Sequence, residues 1–132
     1  MSYLPQAIGT ELGYKSISLS SADILGLTAT PIEFLPAPGA GKVYRLLSCI
    51  IDYTFGTIAY TNAGLKVYFL GGTSPVQDFI LNSGSSAIRD AGIATQTNAL
   101  ANTAMWIGAA AGTPASGDGT AKVHAYYQIV TL

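Results

Sequence analysis

The chain has 132 residues, of which 49% are hydrophobic and only 10% are charged, and its formal net charge is −1. This length predicts one domain with a hydrophobic core of its own. The hydrophobic share excludes a disordered chain, and the scattered basic residues form no cluster of the kind that binds nucleic acid. Because so little charge remains for the surface, we expect other chains to cover part of it, as in a homo-oligomer.

The first residues of the chain show no targeting pattern. Residues 1–14 have little periodicity and contain three glycine or proline residues, which predicts an N-terminal arm before a single β-sandwich domain of residues 15–132. A basic segment followed by an apolar one is missing, so no signal peptide is expected. A run of about 18 apolar residues is missing too, so no membrane partner is expected.

Between residues 15 and 35 the pattern predicts a strand, one helical turn and a second strand. Lys15–Ser20 alternates polar and apolar residues, as a half-buried strand does. Ser20, or the serine after it, then caps a single helical turn that Gly26 ends. Alternation returns over Thr30–Leu35, where Pro31 restricts the strand to a sheet edge or to its own start.

The longest apolar run follows a connector rich in proline and glycine. Pro36–Lys42 leads into Val43–Phe55, which is apolar at both odd and even positions. Such a pattern predicts a strand that is buried on both faces. The best candidates for the core are Leu47, Cys49, Ile50 and Ile51. Because Cys49 is the only cysteine and lies in this run, we interpret it as a small buried hydrophobe.

The rest of the chain predicts shorter strands separated by turns. They are Leu65–Leu70, Val76–Leu81, Thr103–Ala110 and Lys122–Ile129, with an irregular stretch and a short strand in Ala87–Asn102. Seven or eight strands without alternating long helices predict an all-β fold. We expect an antiparallel β-sandwich, jelly-roll-like, with at most one or two short helical turns. An immunoglobulin-like sandwich is the alternative, although its Cys…Trp…Cys pattern is missing.

The stretch Gly39-Ala40-Gly41-Lys42 has some of the features of a phosphate-binding loop. Pro36 stands where that motif has its first glycine, and Val43 stands where it has the hydroxyl that holds magnesium. A strand also follows where the motif needs a helix. We therefore interpret the stretch as a turn and expect no cofactor.

Residues that could carry catalysis or bind a metal are few and separate. His124, the only histidine, alternates with Tyr126 on one strand face and is interpreted as a surface or interface residue. Asp118 lies between two glycines and is interpreted as a turn residue rather than as a calcium ligand. One histidine and one cysteine cannot build a zinc site. The sequence therefore predicts no catalytic residue and no metal-binding residue.

The aromatic residues have two interpretations. Eight tyrosines and Trp106 could line a carbohydrate site, because aromatic rings stack on sugar faces. The same side chains are also common in cores and subunit interfaces.

Two parts of the chain resemble small structural proteins of tailed bacteriophages. They are Leu19–Leu25 with Thr30–Lys42, and Gly117–Thr120 leading into Val123–Val130. The resemblance covers about residues 15–55 and 117–131 and rests on structural rather than catalytic motifs. It implies a virion component with a compact β-sandwich, often a trimer on the capsid surface.

The resemblance leads us to expect a capsid decoration, or cement, protein that binds and stabilises the assembled shell. Its partners would be further copies of itself, with a trimer favoured, and the major capsid protein or other virion proteins. It would be found in the virion after assembly in the host cytoplasm, without nucleic acid or membrane as a partner. The alternative is a tail, neck or fibre component that binds host-surface glycan or another virion protein. An enzyme is not expected.

Overall fold

A computed structural model describes residues 10–69, 75–90, 99–110 and 112–132, with the backbone alone for residues 10, 11 and 75–79. The described residues form eight strands and one short helix. In chain order they are β1 (Thr10–Leu19), α1 (Ser21–Leu25), β2 (Ile32–Leu35), β3 (Lys42–Thr54), β4 (Gly64–Phe69), β5 (Pro75–Ile80), β6 (Ala87–Asp90), β7 (Met105–Ala109) and β8 (Thr120–Thr131).

The described strands form two four-stranded antiparallel sheets. Sheet A has the order β1-β8-β3-β6 and sheet B has the order β2-β7-β4-β5. The pairs are nested, with β1 on β8, β2 on β7, β3 on β6 and β4 on β5. A long hairpin wrapped across two sheets has this connectivity, which is that of a jelly roll. The predicted all-β antiparallel sandwich is therefore confirmed.

The core lies between the two sheets. Strand β8 places Ala121, Val123 and Ala125 in it, each at most 4% exposed. From the opposite sheet β4 contributes Leu65 and Phe69, each 1% exposed. Both strands alternate as the period-2 pattern predicts, so the sequence identifies their inner faces correctly.

Strand β3 is buried on one face, so the prediction of burial on both faces is wrong. Its pairing with β8 shifts between Leu46 and Ser48, where a bulge leaves Leu47 without an opposite residue. A bulge adds one residue and exchanges the parity of the inward positions. The inner face therefore changes from even to odd positions, with Cys49 and Ile51 fully buried. The predicted core residues Leu47 and Ile50 are only half-buried.

The predicted helical turn is confirmed in its details. Ser20 caps α1, because its Oγ accepts the N–H of Asp23 at 3.1 Å and the Asp23 carboxylate accepts the N–H of Ser20 at 2.9 Å. Gly26 forms the C-cap. Pro31 directly precedes β2, an edge strand of sheet B, as its missing N–H requires.

The described part of the chain begins with the first residue of strand β1. Residues 10–14, assigned to the arm by sequence, are the first half of this strand, and residues 1–9 of the arm lie outside the described residues. The boundary between arm and domain stays a prediction. In Ala87–Asn102, predicted to be irregular with a short strand, Ala87–Asp90 forms strand β6, and residues 91–98 lie outside the described residues. In the part of the chain that the structure describes, no helix has the length and apolar character to cross a membrane.

Candidate interaction surface

The stretch that resembles a phosphate loop is a turn into β3. Gly39 and Gly41 have φ angles of 116° and 72°, which favour glycine. The Gly39 N–H donates to Asn102 Oδ1 at 3.1 Å, and the Lys42 N–H donates to the Gly39 carbonyl at 3.1 Å. Both N–H groups are therefore hydrogen-bonded within the protein, and the prediction that this stretch is a turn is confirmed.

Asp118 fastens two loops together. Its carboxylate accepts the N–H groups of Thr57 and Ile58 at 2.8 and 2.9 Å, and the Thr57 hydroxyl at 2.5 Å. The hydrogen bond from the Thr57 hydroxyl, with those from the two N–H groups, lowers the pKa of Asp118 below its ordinary value. We call these three residues the Asp118 clasp. It joins the loop after β3 to the loop before β8, so the predicted turn residue also acts as a structural tie.

Cys49 is buried as predicted. The side chain is 0% exposed, and burial, with a smaller effect of Asp90, raises the pKa of its thiol to about 12. A thiol with this pKa stays protonated near neutral pH and is a poor nucleophile. Within the described ranges, no three His, Cys, Asp or Glu side chains lie together in a way that could hold a metal ion.

The outer face of sheet A carries exposed apolar and aromatic side chains on the neighbouring strands β1 and β8. The register places Tyr14 opposite Tyr126 and Ser16 opposite His124. Tyr14 and Tyr126 are 50% and 49% exposed, and their ring centroids are 4.9 Å apart. Leu12, one step further along the same face, is 76% exposed. We call Leu12, Tyr14, His124 and Tyr126 the aromatic face.

His124 positions a ring of the aromatic face. Its Nδ1 lies 2.7 Å from the Tyr14 hydroxyl oxygen, and the two rings are stacked with their centroids 6.1 Å apart. This hydrogen bond connects two strands and holds the Tyr14 ring in one orientation although half of it contacts solvent. A ring that is already ordered loses little conformational freedom when it is covered. The surface role predicted for His124 is thus a positioning role.

A polar cleft adjoins the aromatic face on the same side of sheet A. Its volume is about 520 Å³. The lining is mainly hydroxyl-bearing and charged, and includes Ser18, Asp23, Asp52, Thr120 and Lys122. Lys122 lies opposite Ser18 on β1 and Asp52 on β3, one step along the face from His124. The outer face of sheet A therefore changes from apolar to polar along its strands.

The remaining aromatic residues of the described chain lie elsewhere. Tyr44, Tyr53 and Tyr60 are buried in the core. Trp106 is half-buried in sheet B, in a row with Tyr68 of β4, and therefore does not join the aromatic face. Some tyrosines therefore fill the core, as one interpretation expects, whereas Tyr14 and Tyr126 are half-exposed on the surface.

Sequence reasoning missed the contribution of β1 to this surface. The alternation predicts His124 and Tyr126 on one strand face, which the structure confirms, but the sequence pattern puts Leu12 and Tyr14 in the arm. Leu12 and Tyr14 have the same parity as Ser16 and Ser18 of the predicted strand. This continued period of two is the signal that could have extended the strand upstream.

Comparisons with known proteins give similarity at the level of structure. No protein-family model matches the chain, and no curated protein matches it. A chain from the capsid asymmetric unit of cyanophage Pam1 is 20% identical, with 97% of this chain and 91% of that chain covered and a TM-score of 0.48. A chain from the capsid of Ralstonia phage GP4 is 17% identical, with 96% and 89% covered and a TM-score of 0.45.

A third similar structure comes from Bacillus endospore appendages, which are described as a novel family of disulfide-linked pili. It is 16% identical, with 100% of this chain and 97% of that chain covered and a TM-score of 0.41. The first two structures come from phage capsids.

Proposed function

We propose that this protein is a non-enzymatic structural component of a tailed-phage virion, a decoration or cement protein that binds and stabilises the assembled shell. Its partners are the major capsid protein or other virion proteins and further copies of itself, with a trimer as the resemblance implies. It is found in the virion after assembly in the host cytoplasm. The sequence resemblance suggests the type of particle. The observation that carries the binding role is the aromatic face.

The aromatic face has the properties of a protein-binding surface. Tyr14 and Tyr126 offer large, half-exposed rings with few rotatable bonds, and tyrosine is enriched where binding energy concentrates. Leu12 adds exposed apolar area beside them. The charges nearest to the rings on this face are Lys122 of β8, one step before His124, and Arg45 of β3, which lies opposite Gln128, one step beyond Tyr126. Charge therefore borders the rings, as in the polar rim of an interface.

The side chains that most resemble catalytic groups have structural roles. The Nδ1 atom of His124 is hydrogen-bonded to Tyr14, the Cys49 thiol is buried, and the Asp118 carboxylate accepts three hydrogen bonds from the loop after β3. These positions support a protein that acts through its surface and not through a reaction.

Binding to shells tests the proposal. Particles of the parent phage assembled without this protein are mixed with the purified chain, and binding is measured by co-sedimentation. We expect saturable binding by the native protein and by Ile80→Thr, which alters an exposed apolar residue of sheet B, away from the aromatic face. Replacing both Tyr14 and Tyr126 by threonine should weaken binding by at least about tenfold, because two aromatic anchors are lost.

Two outcomes would contradict parts of the proposal. If the native chain does not bind shells that lack it, the decoration role is wrong. If native protein binds and the double threonine variant binds equally well, the role stands but the aromatic face is not the docking surface.

A tail, neck or fibre component that binds host-surface glycan is the second candidate, and the polar cleft favours it. Saccharides are bound by an aromatic ring that stacks on the sugar and by polar groups that reach its hydroxyls. Here His124 lies one step along the face from a cleft that contains Asp52, Lys122 and several hydroxyl groups, and the Tyr126 ring lies one step further.

A glycan array with saccharides of the host envelope separates the two candidates. A signal that is lost in both Tyr126→Thr and Asp52→Asn, and kept in Ile80→Thr, would support glycan binding. Shell binding without any array signal would leave decoration as the function.

A further inference from the structure

Strand β1 is a long edge strand of sheet A. It pairs with β8 over its whole length, Thr10 to Leu19, without a bulge. Its other edge pairs with no strand among the described residues, and none of them hydrogen-bonds to the backbone of that edge. An unbroken strand of this length with one open edge is a template for pairing with another chain.

We propose that β1 pairs antiparallel with β1 of a second copy of this chain, around a two-fold axis at Gly13. The pairing joins residues 10–16 of the two copies. The register of this pairing follows from the sequence of β1 and from the faces on which the structure places the residues of β1. The pairing would be a self-association contact in addition to the proposed virion role, and it does not depend on that role.

The apolar residues of β1 support this register. For the outer faces of both sheets to lie on the same side, residues of equal parity must be opposite. With Gly13 opposite Gly13, Leu12 of each copy lies opposite Tyr14 of the other. Leu12 and Tyr14 are 76% and 50% exposed in the single chain, and cross-strand pairing brings them into contact.

The charges of β1 support the same register. Glu11 of each copy lies opposite Lys15 of the other, so the contact has two pairs of opposite charge. A register centred on Lys15 would place two lysines opposite each other, and one centred on Tyr14 would place Glu11 opposite Ile17. Only the register centred on Gly13 matches the apolar and the charged positions together.

Lys15 would normally protect an open edge. A lysine on an edge strand discourages pairing, because a partner strand would bury or crowd its charge. In the proposed contact each lysine meets a glutamate instead, so pairing in this register is allowed and other registers are discouraged. Gly13 presents no side chain at the axis, and the Tyr127 ring occupies the space that a Cβ there would need.

The contact would join sheet A of one copy to sheet A of the other in one eight-stranded sheet, since each copy contributes four strands. The aromatic faces of both copies would then lie side by side on one surface. A two-fold contact links copies in pairs, whereas a trimer needs a contact between different surfaces. The β1 contact is therefore separate from any contact that closes a trimer.

Charge variants of the full-length protein test the register. Glu11→Lys and Lys15→Glu each place like charges opposite one another, and the double variant E11K/K15E exchanges them and restores both pairs. We expect each single variant to raise the dissociation constant of the β1 contact by about tenfold or more at low salt. The double variant should return to the native value. Sedimentation equilibrium gives the constants, and thermal unfolding confirms that each variant is folded.

Cross-linking tests the register at a second pair of positions. An equimolar mixture of Leu12→Cys and Tyr14→Cys chains should form an intermolecular disulfide on oxidation, because opposite Cα atoms lie about 4.5–5.5 Å apart. Leu12→Cys alone is the control and should cross-link weakly, since position 12 of one copy is only a diagonal neighbour of position 12 of the other. Cys49 is buried and does not compete.

Three results would overturn the proposal. They are a native chain that stays monomeric at all concentrations, self-association that neither charge variant weakens, and equal cross-linking in the mixture and in the control. Because these measurements use no shells, they are independent of the decoration role. Shell binding by a native monomer would retain the proposed function and remove the β1 contact.

Discussion

The Asp118 clasp and the aromatic face use tyrosine in opposite ways. Beside the clasp, Tyr60 is 2% exposed, and its hydroxyl donates to the Gly119 carbonyl at 2.6 Å. On the aromatic face, Tyr126 is 49% exposed and its ring contacts Tyr14. The first tyrosine completes a buried hydrogen bond within the fold, and the second leaves apolar area uncovered.

The difference separates stability from binding. Near the clasp, polar groups have partners within the chain and glycines let backbone and rings approach closely, so a change there should lower the free energy of unfolding. On the aromatic face few native contacts exist to be lost, so a change there should alter partner binding and leave folding nearly intact. The following variants test this division, from the largest expected effect to the smallest.

Gly117→Ala should give the largest loss of stability. A Cβ on Gly117 would lie 2.1 Å from Cδ1 of the Tyr60 ring, which is only 2% exposed, so the ring or the loop must shift. Overpacking of this kind costs about 3 kcal/mol of unfolding free energy. Denaturant unfolding measures it. Gly84→Ala is the matched control, because no atom lies within 4 Å of its new Cβ, and an equal loss there would refute the explanation.

Tyr60→Phe should have a smaller effect on the same region. The substitution removes the hydroxyl and leaves the buried Gly119 carbonyl without this hydrogen bond, while the ring stays in place. We expect a loss of about 1–2 kcal/mol in unfolding free energy. Tyr126→Phe removes a hydroxyl from an exposed ring and should change stability little, so the comparison isolates the buried hydrogen bond. Equal losses in the two variants would contradict the division.

Local signals in the sequence were sufficient for much of the fold. The alternation of Val123 and Ala125 with polar neighbours identifies the inner face of β8, and Ser20 with Asp23 identifies the start of α1. Each depends on residues a few positions apart. The bulge at Leu47 could not be predicted, because it depends on how β3 pairs with a strand about 80 residues further along the chain.

Less of the interaction surface can be predicted from the sequence, for the same reason. The alternation along β8 predicts that His124 and Tyr126 share a face, but the hydrogen-bond partner of His124 is Tyr14, which is 110 residues away in the chain. The Asp118 clasp joins residues about 60 positions apart and has no sequence motif. Contacts between distant segments follow from the jelly-roll connectivity, which the order of predicted strands alone does not determine.

Asp118→Asn should change how stability depends on pH. Hydrogen bonds within the clasp, led by that from the Thr57 hydroxyl, lower the pKa of Asp118 in the folded chain below the ordinary value of 3.8. A lowered folded pKa contributes stability that is present above the unfolded pKa and is lost as the pH falls through the folded pKa. The melting temperature of the native protein should therefore fall more steeply than that of the variant below about pH 4.

The matched comparison for Asp118 is Asp52→Asn, which removes another exposed carboxylate in the polar cleft. Melting curves between pH 7 and acid pH should show a weaker pH dependence in Asp118→Asn than in Asp52→Asn. If the two variants follow the same pH profile, the clasp does not contribute the acid-sensitive stability.

The double variant Y14T/Y126T should have the smallest effect on folding. Both side chains are half-exposed, and threonine keeps a high β-strand propensity. The loss is limited to one cross-strand ring contact and the hydrogen bond to His124, so we expect less than about 1 kcal/mol by denaturant unfolding. A loss as large as that of Gly117→Ala would mean that these rings stabilise the fold, and the uncovered area of the aromatic face would no longer indicate a partner.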